Sequence, residues 1–228
     1  MAYGHEQDTT GDRTLADKKS LLLCVTGSIA ATGAVSFLQW LVERDRFSTI
    51  HVALSRNALR FVREEPFAIL SRRPCITDLF NSALAGSAIH VEVAHTCQLA
   101  VVFPASGNVI AKLAHGIADD TITNLLSVFE GRRILVPAVH PATSRKASFE
   151  RNLAQVKEDG FMVCGPVPGY SISENRRGPD VAVMPEPEYV AAYVEYVAMT
   201  DSAPDIEFGY PTHGSSGGRG ETSSPDLS

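Results

Sequence analysis

The chain has 228 residues, 44% of them hydrophobic and 20% charged, the proportions of a globular protein with a sizeable core. Its net charge of −6 and pI near 5.6 exclude the basic surface that grips nucleic acid. No apolar run approaches the roughly 20 residues that span a bilayer, and Glu6, Asp8, Asp12 and Asp17 deny the N-terminus a signal-peptide layout. Cys24, Cys75, Cys97 and Cys164 are widely spaced and form no C-x-x-C pair, which argues against zinc and against a disulfide framework. The expectation is a reduced, cytoplasmic, soluble protein with no membrane or nucleic-acid partner and no metal.

In chain order, residues 1–18 are polar and aperiodic and predict a disordered tail. The run 20–26 (SLLLCVT) is apolar enough to predict a strand covered on both faces. Gly27-Ser28 breaks it, and 29–42 predicts a helix. A second strand follows at 49–54, and 58–63 opens another helix. Segment 89–93 (IHVEV) alternates apolar and polar residues and reads as strand-like. A buried strand is expected at 99–103 (LAVVF), then helices at 109–115 and 121–129 separated by Gly116. A strand at 133–137, a helix at 146–158, a short strand at 161–164 and a helix at 188–199 complete the pattern. Residues 201–228, with Pro204, Pro211, Pro225 and a Gly-Ser run at 214–218, predict a second disordered tail. One domain, 19–200, remains. Its alternating strands and helices predict an α/β fold of Rossmann type, a doubly wound parallel sheet. Such sheets bind ligands beyond the carboxyl ends of their strands.

Two junctions carry distinctive residues. Thr26-Gly27-Ser28-Ile29-Ala30 follows the first strand, and a glycine plus a hydroxyl at a helix N-terminus offers backbone N–H groups to an anion. The same residues equally suit an ordinary N-cap at Ser28. Gly33 stands alone, so the dinucleotide fingerprint is absent. Ser55, ahead of Arg56 and Asn57, adds a hydroxyl at a neighbouring strand end. The second junction, Phe103-Pro104-Ala105-Ser106-Gly107-Asn108, has residues small enough for a flat ring to approach, with Ser106 and Asn108 able to bond its heteroatoms. A tight turn capped by Ser106 fits it too. His90 lies fourteen residues before Pro104, and His95, His115 and His140 are the domain's other candidates; a lone histidine is more often structural than catalytic.

Together these segments resemble the homo-oligomeric flavin-containing cysteine decarboxylases over about residues 20–199. That family includes the epidermin-type peptidyl-cysteine decarboxylases and the phosphopantothenoylcysteine decarboxylases of coenzyme A synthesis. The resemblance rests on Gly27-Ser28-Ile29-Ala30, on the spacing of His90, and on Pro104-Ala105-Ser106-Gly107-Asn108, similar to the family's P-A-S-A-N-T with Gly107 and Val109 as departures. Ala114-His115-Gly116-Ile117-Ala118-Asp119 resembles its A-x-G-I-x-D segment. It implies a flavodoxin-like fold holding FMN, or FAD in some members, at contacts within a trimer, usually four trimers to a dodecamer. By motif position Gly27, Ser28, Ile29 and Ser55 would hold the phosphate. Pro104, Ala105, Ser106, Asn108 and Asp119 would line the isoalloxazine, and His90 would be the base. With no obvious adenosine pocket, FMN is favoured.

Two departures separate subfamilies. The family's P-x-M-N-x-x-M-W is here Pro137-Ala138-Val139-His140-Pro141-Ala142-Thr143-Ser144, so His140 replaces the asparagine that binds the substrate carboxylate. It can do so only by donating a hydrogen bond or by being protonated. The coenzyme A enzymes carry a reducing cysteine seven residues after the proline matched by Pro166, where this chain has Ser173. Without that thiol the implied reaction stops at the enethiol. This resemblance implies flavin-dependent oxidative decarboxylation of the C-terminal cysteine of a ribosomally made precursor peptide, giving an aminoenethiol for aminovinyl-cysteine formation. Segment 167–183, with Ser171, Ser173, Arg176 and Arg177, suits a clamp over the peptide end in which either arginine pairs with the carboxylate; a surface loop with solvated arginines suits it equally. The coenzyme A enzyme, a flavin prenyltransferase and a catalytically silent flavoprotein that binds a partner remain alternatives.

Overall fold

Five strands carry the apolar runs of the sequence: β1 (Lys19–Val25), β2 (Phe47–Leu54), β3 (Leu99–Ala105), β4 (Arg132–Pro137) and β5 (Phe161–Val163). In the computed structural model, which describes residues 18–79, 89–171 and 174–204, they lie in the order β2-β1-β3-β4-β5 with every pairing parallel. This is the flavodoxin-like order. Along β1, Leu21, Leu23 and Val25 face one core layer while Leu22 and Cys24 face the other. Period-2 alternation between two buried faces is why the run is apolar throughout.

The first layer is closed by α1 (Ala34–Glu43), α2 (Glu64–Ser71) and α8 (Pro187–Thr200), the second by α3 (Ile89–Thr96), α4 (Gly107–Ala114), α5 (Thr121–Ser127) and α7 (Ala147–Glu158). Phe37 of α1 stacks on Phe103 of β3 at 4.3 Å between centroids. Each such fully buried side chain stabilises the fold by about 1.5–3 kcal/mol. Among the described residues no helix is long and apolar enough to cross a membrane.

Several local expectations are corrected. The helix expected over 29–42 is split: Ile29–Gly33 forms a 3-10 turn, with the Thr32 hydroxyl donating to the Ile29 carbonyl (2.9 Å), and α1 starts after Gly33. Likewise 58–63 gives a 3-10 turn at Ala58–Arg60, and α2 follows. Segment 89–93, read as strand-like, is the first part of α3. Its β-branched alternation gives way because Val93, Ala94 and Cys97 bury at helical spacing against the second layer. Segment 167–183 is an antiparallel hairpin of β6 (Val167–Ser171) and β7 (Arg176–Val183). Lys18 bonds Asp45 at 2.6 Å, and Asp201 caps α8 and pairs with Lys19 and Arg132, so both boundary residues join the domain. The remaining tail residues, 1–17 and 205–228, lie outside the described residues.

Candidate functional site

The chain leaves β1 and β3, neighbours in the sheet, on its way to opposite sides, which makes their carboxyl ends the topological switch point. Buried Thr26, which sequence reasoning passed over, ties the two motif turns together. Its hydroxyl donates to the Pro104 carbonyl (2.7 Å) and accepts from the Ser106 N–H (2.9 Å). The β1 turn is also pressed against the turn after β2: a Cβ on Gly27 would come within 2.5 Å of Asn57 Cβ. Gly27 is required by close packing, whatever else it does.

Each of the three serines predicted to hold the cofactor caps its own turn. Ser28 accepts from the Ala30 N–H (3.3 Å), Ser55 from Ala58 (3.1 Å) and Ser106 from Val109 (3.4 Å). Capping leaves free N–H groups at both junctions: Gly107 and Asn108 open α4, and Ile29 opens the 3-10 turn, positions with no intrahelical acceptor. Asn108 is exposed on the first turn of α4. Pro104 and Ala105 are buried at the end of β3.

Beside the switch point opens a cavity of about 780 Å³. Its walls are the 3-10 turn (Ser28, Ile29), the turn after β4 (Val139, His140) and the hairpin (Ser171, Arg177), with Met184 to Pro187 closing one side. The structure thus gathers two predicted cofactor residues and three predicted substrate residues in one space. His140 is the N-cap of α6 (Pro141–Ser144), and its Nδ1 accepts the Ala142 N–H at 3.0 Å. That bond assigns the ring proton to Nε2, so His140 is a neutral donor with the acceptor-plus-donor pattern of an asparagine. The two arginines separate: Arg177 lines the cavity, whereas Arg176 pairs with Glu174 at 3.4 Å. Ser171 is buried and accepts from the Glu174 N–H (3.2 Å). Ser173 lies outside the described residues.

Asp119 is away from this cavity's lining and ion-paired to Lys112 at 2.6 Å. Lys112 also holds Asp120 (2.7 Å), whose side chain and Thr123 form the capping box of α5. Burial raises the Asp120 pKa, but the bonds from Lys112 and the Thr123 N–H outweigh it and hold the carboxyl below its ordinary value. Cys164, just after β5, is fully buried, and burial pushes its thiol up to about 12; it offers no thiolate. The backbone of His90 lies in the first turn of α3, which runs antiparallel to β3 and so starts at the sheet's carboxyl edge.

The flavoprotein family profile matches residues 10–198. The chain is 32% identical over 156 residues, 68% of its length, to the coenzyme A biosynthesis bifunctional protein CoaBC of Bacillus subtilis. It spans only 38% of that protein. Among solved structures it is similar to TvaF, an FMN-dependent cysteine decarboxylase from thioviridamide biosynthesis (31% identity, TM-score 0.60, 64% of this chain and 89% of TvaF). The peptidyl-cysteine decarboxylase EpiD shares the fold at 22% identity, with a TM-score of 0.63 over 78% of this chain and 98% of EpiD. A 2-1-3-4-5 parallel sheet, paired turns with free N–H groups at its switch point and a profile match over most of the chain agree on one assignment: the chain belongs to the flavoprotein family.

Proposed function

We propose that the chain is an FMN-dependent decarboxylase acting on the C-terminal cysteine of a ribosomally made precursor peptide, leaving an aminoenethiol for aminovinyl-cysteine formation. The observation that carries this reading is the pairing of His140 and Arg177 in one cavity: a neutral N–H donor and a guanidinium are the two partners a peptide carboxylate needs. The donor set at the switch point fits a flavin. The N–H groups of Ile29, Gly107 and Asn108 are free to bond phosphate or ring oxygens.

In this reading Gly27, Ser28, Ile29 and Ser55 hold the phosphate. Pro104, Ala105, Ser106, Asn108 and Asp119 line the ring. Bound FMN would supply a two-electron acceptor, so that oxidation of the cysteine Cβ–SH places a thiocarbonyl β to the carboxylate and CO₂ can leave. His90 takes the thiol proton, help typically worth ~10²–10⁴ in rate. His140 and Arg177 hold the carboxylate, and the apolar wall of Ile29, Val139 and Met184 limits water beside it. The working unit is a homo-oligomer, a trimer or a dodecamer of four trimers.

The second reading, phosphopantothenoylcysteine decarboxylation, is favoured by the identity to CoaBC. Ser173 in place of the reducing thiol, and His140 in place of asparagine, disfavour it. Offering both substrates to the flavin-loaded protein decides between them, with loss of CO₂ and two hydrogens followed by mass spectrometry. His90→Asn should keep flavin and lower turnover on the peptide ~10²–10⁴-fold; His95→Asn and His115→Asn should be mild. Near wild-type turnover in His90→Asn sinks the assignment of the base.

A further inference from the structure

Directly after the β2 turn that packs against Gly27, the surface changes character. From the 3-10 turn at Ala58–Arg60 through α2 to its C-cap, Arg60, Arg63 and Arg72 are exposed, and none makes a salt bridge among the described residues. Two glutamates, Glu64 and Glu65, lie among them, so the face carries a local positive excess in a chain whose net charge is −6. Two large apolar side chains sit on it, Phe61 at 43% exposure and Ile69 at 76%, the highest among the exposed large hydrophobics. Uncompensated guanidinium groups around apolar anchors make a surface complementary to an acidic peptide with interspersed apolar residues.

Its position gives the occupant. α1 packs against both α2 and α8, so the three helices run side by side in the order α2, α1, α8. The cavity opens at the start of α8 and at the 3-10 turn leading into α1. Helix neighbours lie about 8–10 Å apart. Two such steps, about 20 Å, are covered by about six extended residues. We propose that the Arg60–Arg72 face docks an acidic stretch of the peptide substrate, beginning about six residues before its C-terminal cysteine, while the cysteine itself occupies the cavity. This rests on the peptide reading above, and it assigns recognition of the upstream sequence to α2, outside the reacting centre. Electrostatic docking of this kind raises affinity and association rate without changing the chemical step.

The experiment uses the full flavin-loaded chain and two fluorescein-labelled peptides with the same free C-terminal cysteine and six neutral residues before it. One continues upstream into a block of Asp and Glu with two Leu; the other has Asn and Gln in place of the acids. Fluorescence anisotropy should show the acidic peptide binding about tenfold tighter at low salt, an advantage that fades as added salt shortens the screening length to a few Å. R60E/R63E/R72E should erase the advantage, R60Q/R63Q/R72Q should reduce it, and kcat/KM for a five-residue cysteine-terminated peptide should stay unchanged in both. Equal affinity for the two peptides overturns the proposal, as does an advantage that survives in the charge-reversed variant. It is also overturned if these variants alter the sedimentation coefficient while leaving peptide affinity intact, because the face would then join copies of the chain. Salt-dependent binding through this face without decarboxylation of any cysteine peptide would support the docking surface and remove the activity reading instead.

Discussion

His140 decides most at the scale of single residues. Because Nδ1 is engaged by the Ala142 N–H, its donor capacity comes from Nε2–H, the arrangement an asparagine amide would reproduce. His140→Asn should therefore retain peptide turnover within a few-fold. His140→Phe keeps the ring and loses both the cap and the donor; removing a hydrogen bond to a charged group costs about 1.5–3 kcal/mol, so kcat/KM should fall by about 10- to 100-fold. The two motif departures next to it are one structural unit. A Cβ on Gly107 would lie 3.3 Å from Val139 Cγ1, so glycine at 107 makes room for a β-branched residue at 139. Gly107→Ala should be tolerated less well beside Val139 than beside alanine, because the valine must give by a few tenths of an ångström. The two changes should therefore be coupled, and additive effects of Gly107→Ala and Val139→Ala in a thermal double-mutant cycle would break the link.

Among the elements, α5 and the hairpin carry the testable consequences. Asp120 is both the cap of α5 and the partner of Lys112. A carboxylate whose folded pKa lies below its unfolded value stabilises the fold above the unfolded value and loses that contribution as pH falls through the folded one. Below about pH 4 the protein should therefore lose part of its stability. Asp120→Asn keeps a capping oxygen and should show a smaller drop in Tm on going from neutral to acid pH than the wild type. Asp120→Ala should cost about 0.5–2 kcal/mol at neutral pH through the cap alone. In the hairpin, a Cβ on Gly169 would strike Val183 Cγ2 at 2.3 Å, at the register irregularity between Pro168 and Gly169. Gly169→Ala should displace β7 and with it Arg177, raising KM for the peptide while flavin content, read by visible absorbance, stays at the wild-type level.

For the whole molecule, thiol accessibility reports on the two-layer core. Cys24 and Cys164 are fully buried and Cys97 nearly so, while Cys75 is half-buried; all four are free. Burial pushes the thiols of Cys75 and Cys97 up to about 11 and that of Cys24 higher still. An aromatic disulfide reagent at neutral pH should titrate at most one thiol slowly in the folded protein, Cys75, and all four once the chain is unfolded in denaturant. Rapid reaction of two or more would mean that the layers open well below global unfolding.

Strand and helix alternation, parallel class and the junctions after the first and third strands were legible in the sequence, because strands covered on both faces must be apolar along their whole length. The runs around Leu21–Val25 and Leu99–Phe103 have this character, and both are buried throughout. One motif residue was legible for a related reason: backbone that must approach a neighbour this closely has no room for a Cβ, as at Gly27. What the linear order could not decide was everything set by contacts between distant segments. The helical state of 89–96 depends on a core layer built by α5 and β3, and the hairpin at 167–183 on strands closing at each other's ends. The tautomer of His140 was likewise hidden until its turn brought Ala142 N–H under Nδ1, and the choice between Arg176 and Arg177 until β7 turned them to opposite sides. Local propensity and spacing are written in neighbouring residues, whereas a donor's direction and a side chain's facing are fixed by what packs against them, and only the tertiary structure brings those partners together.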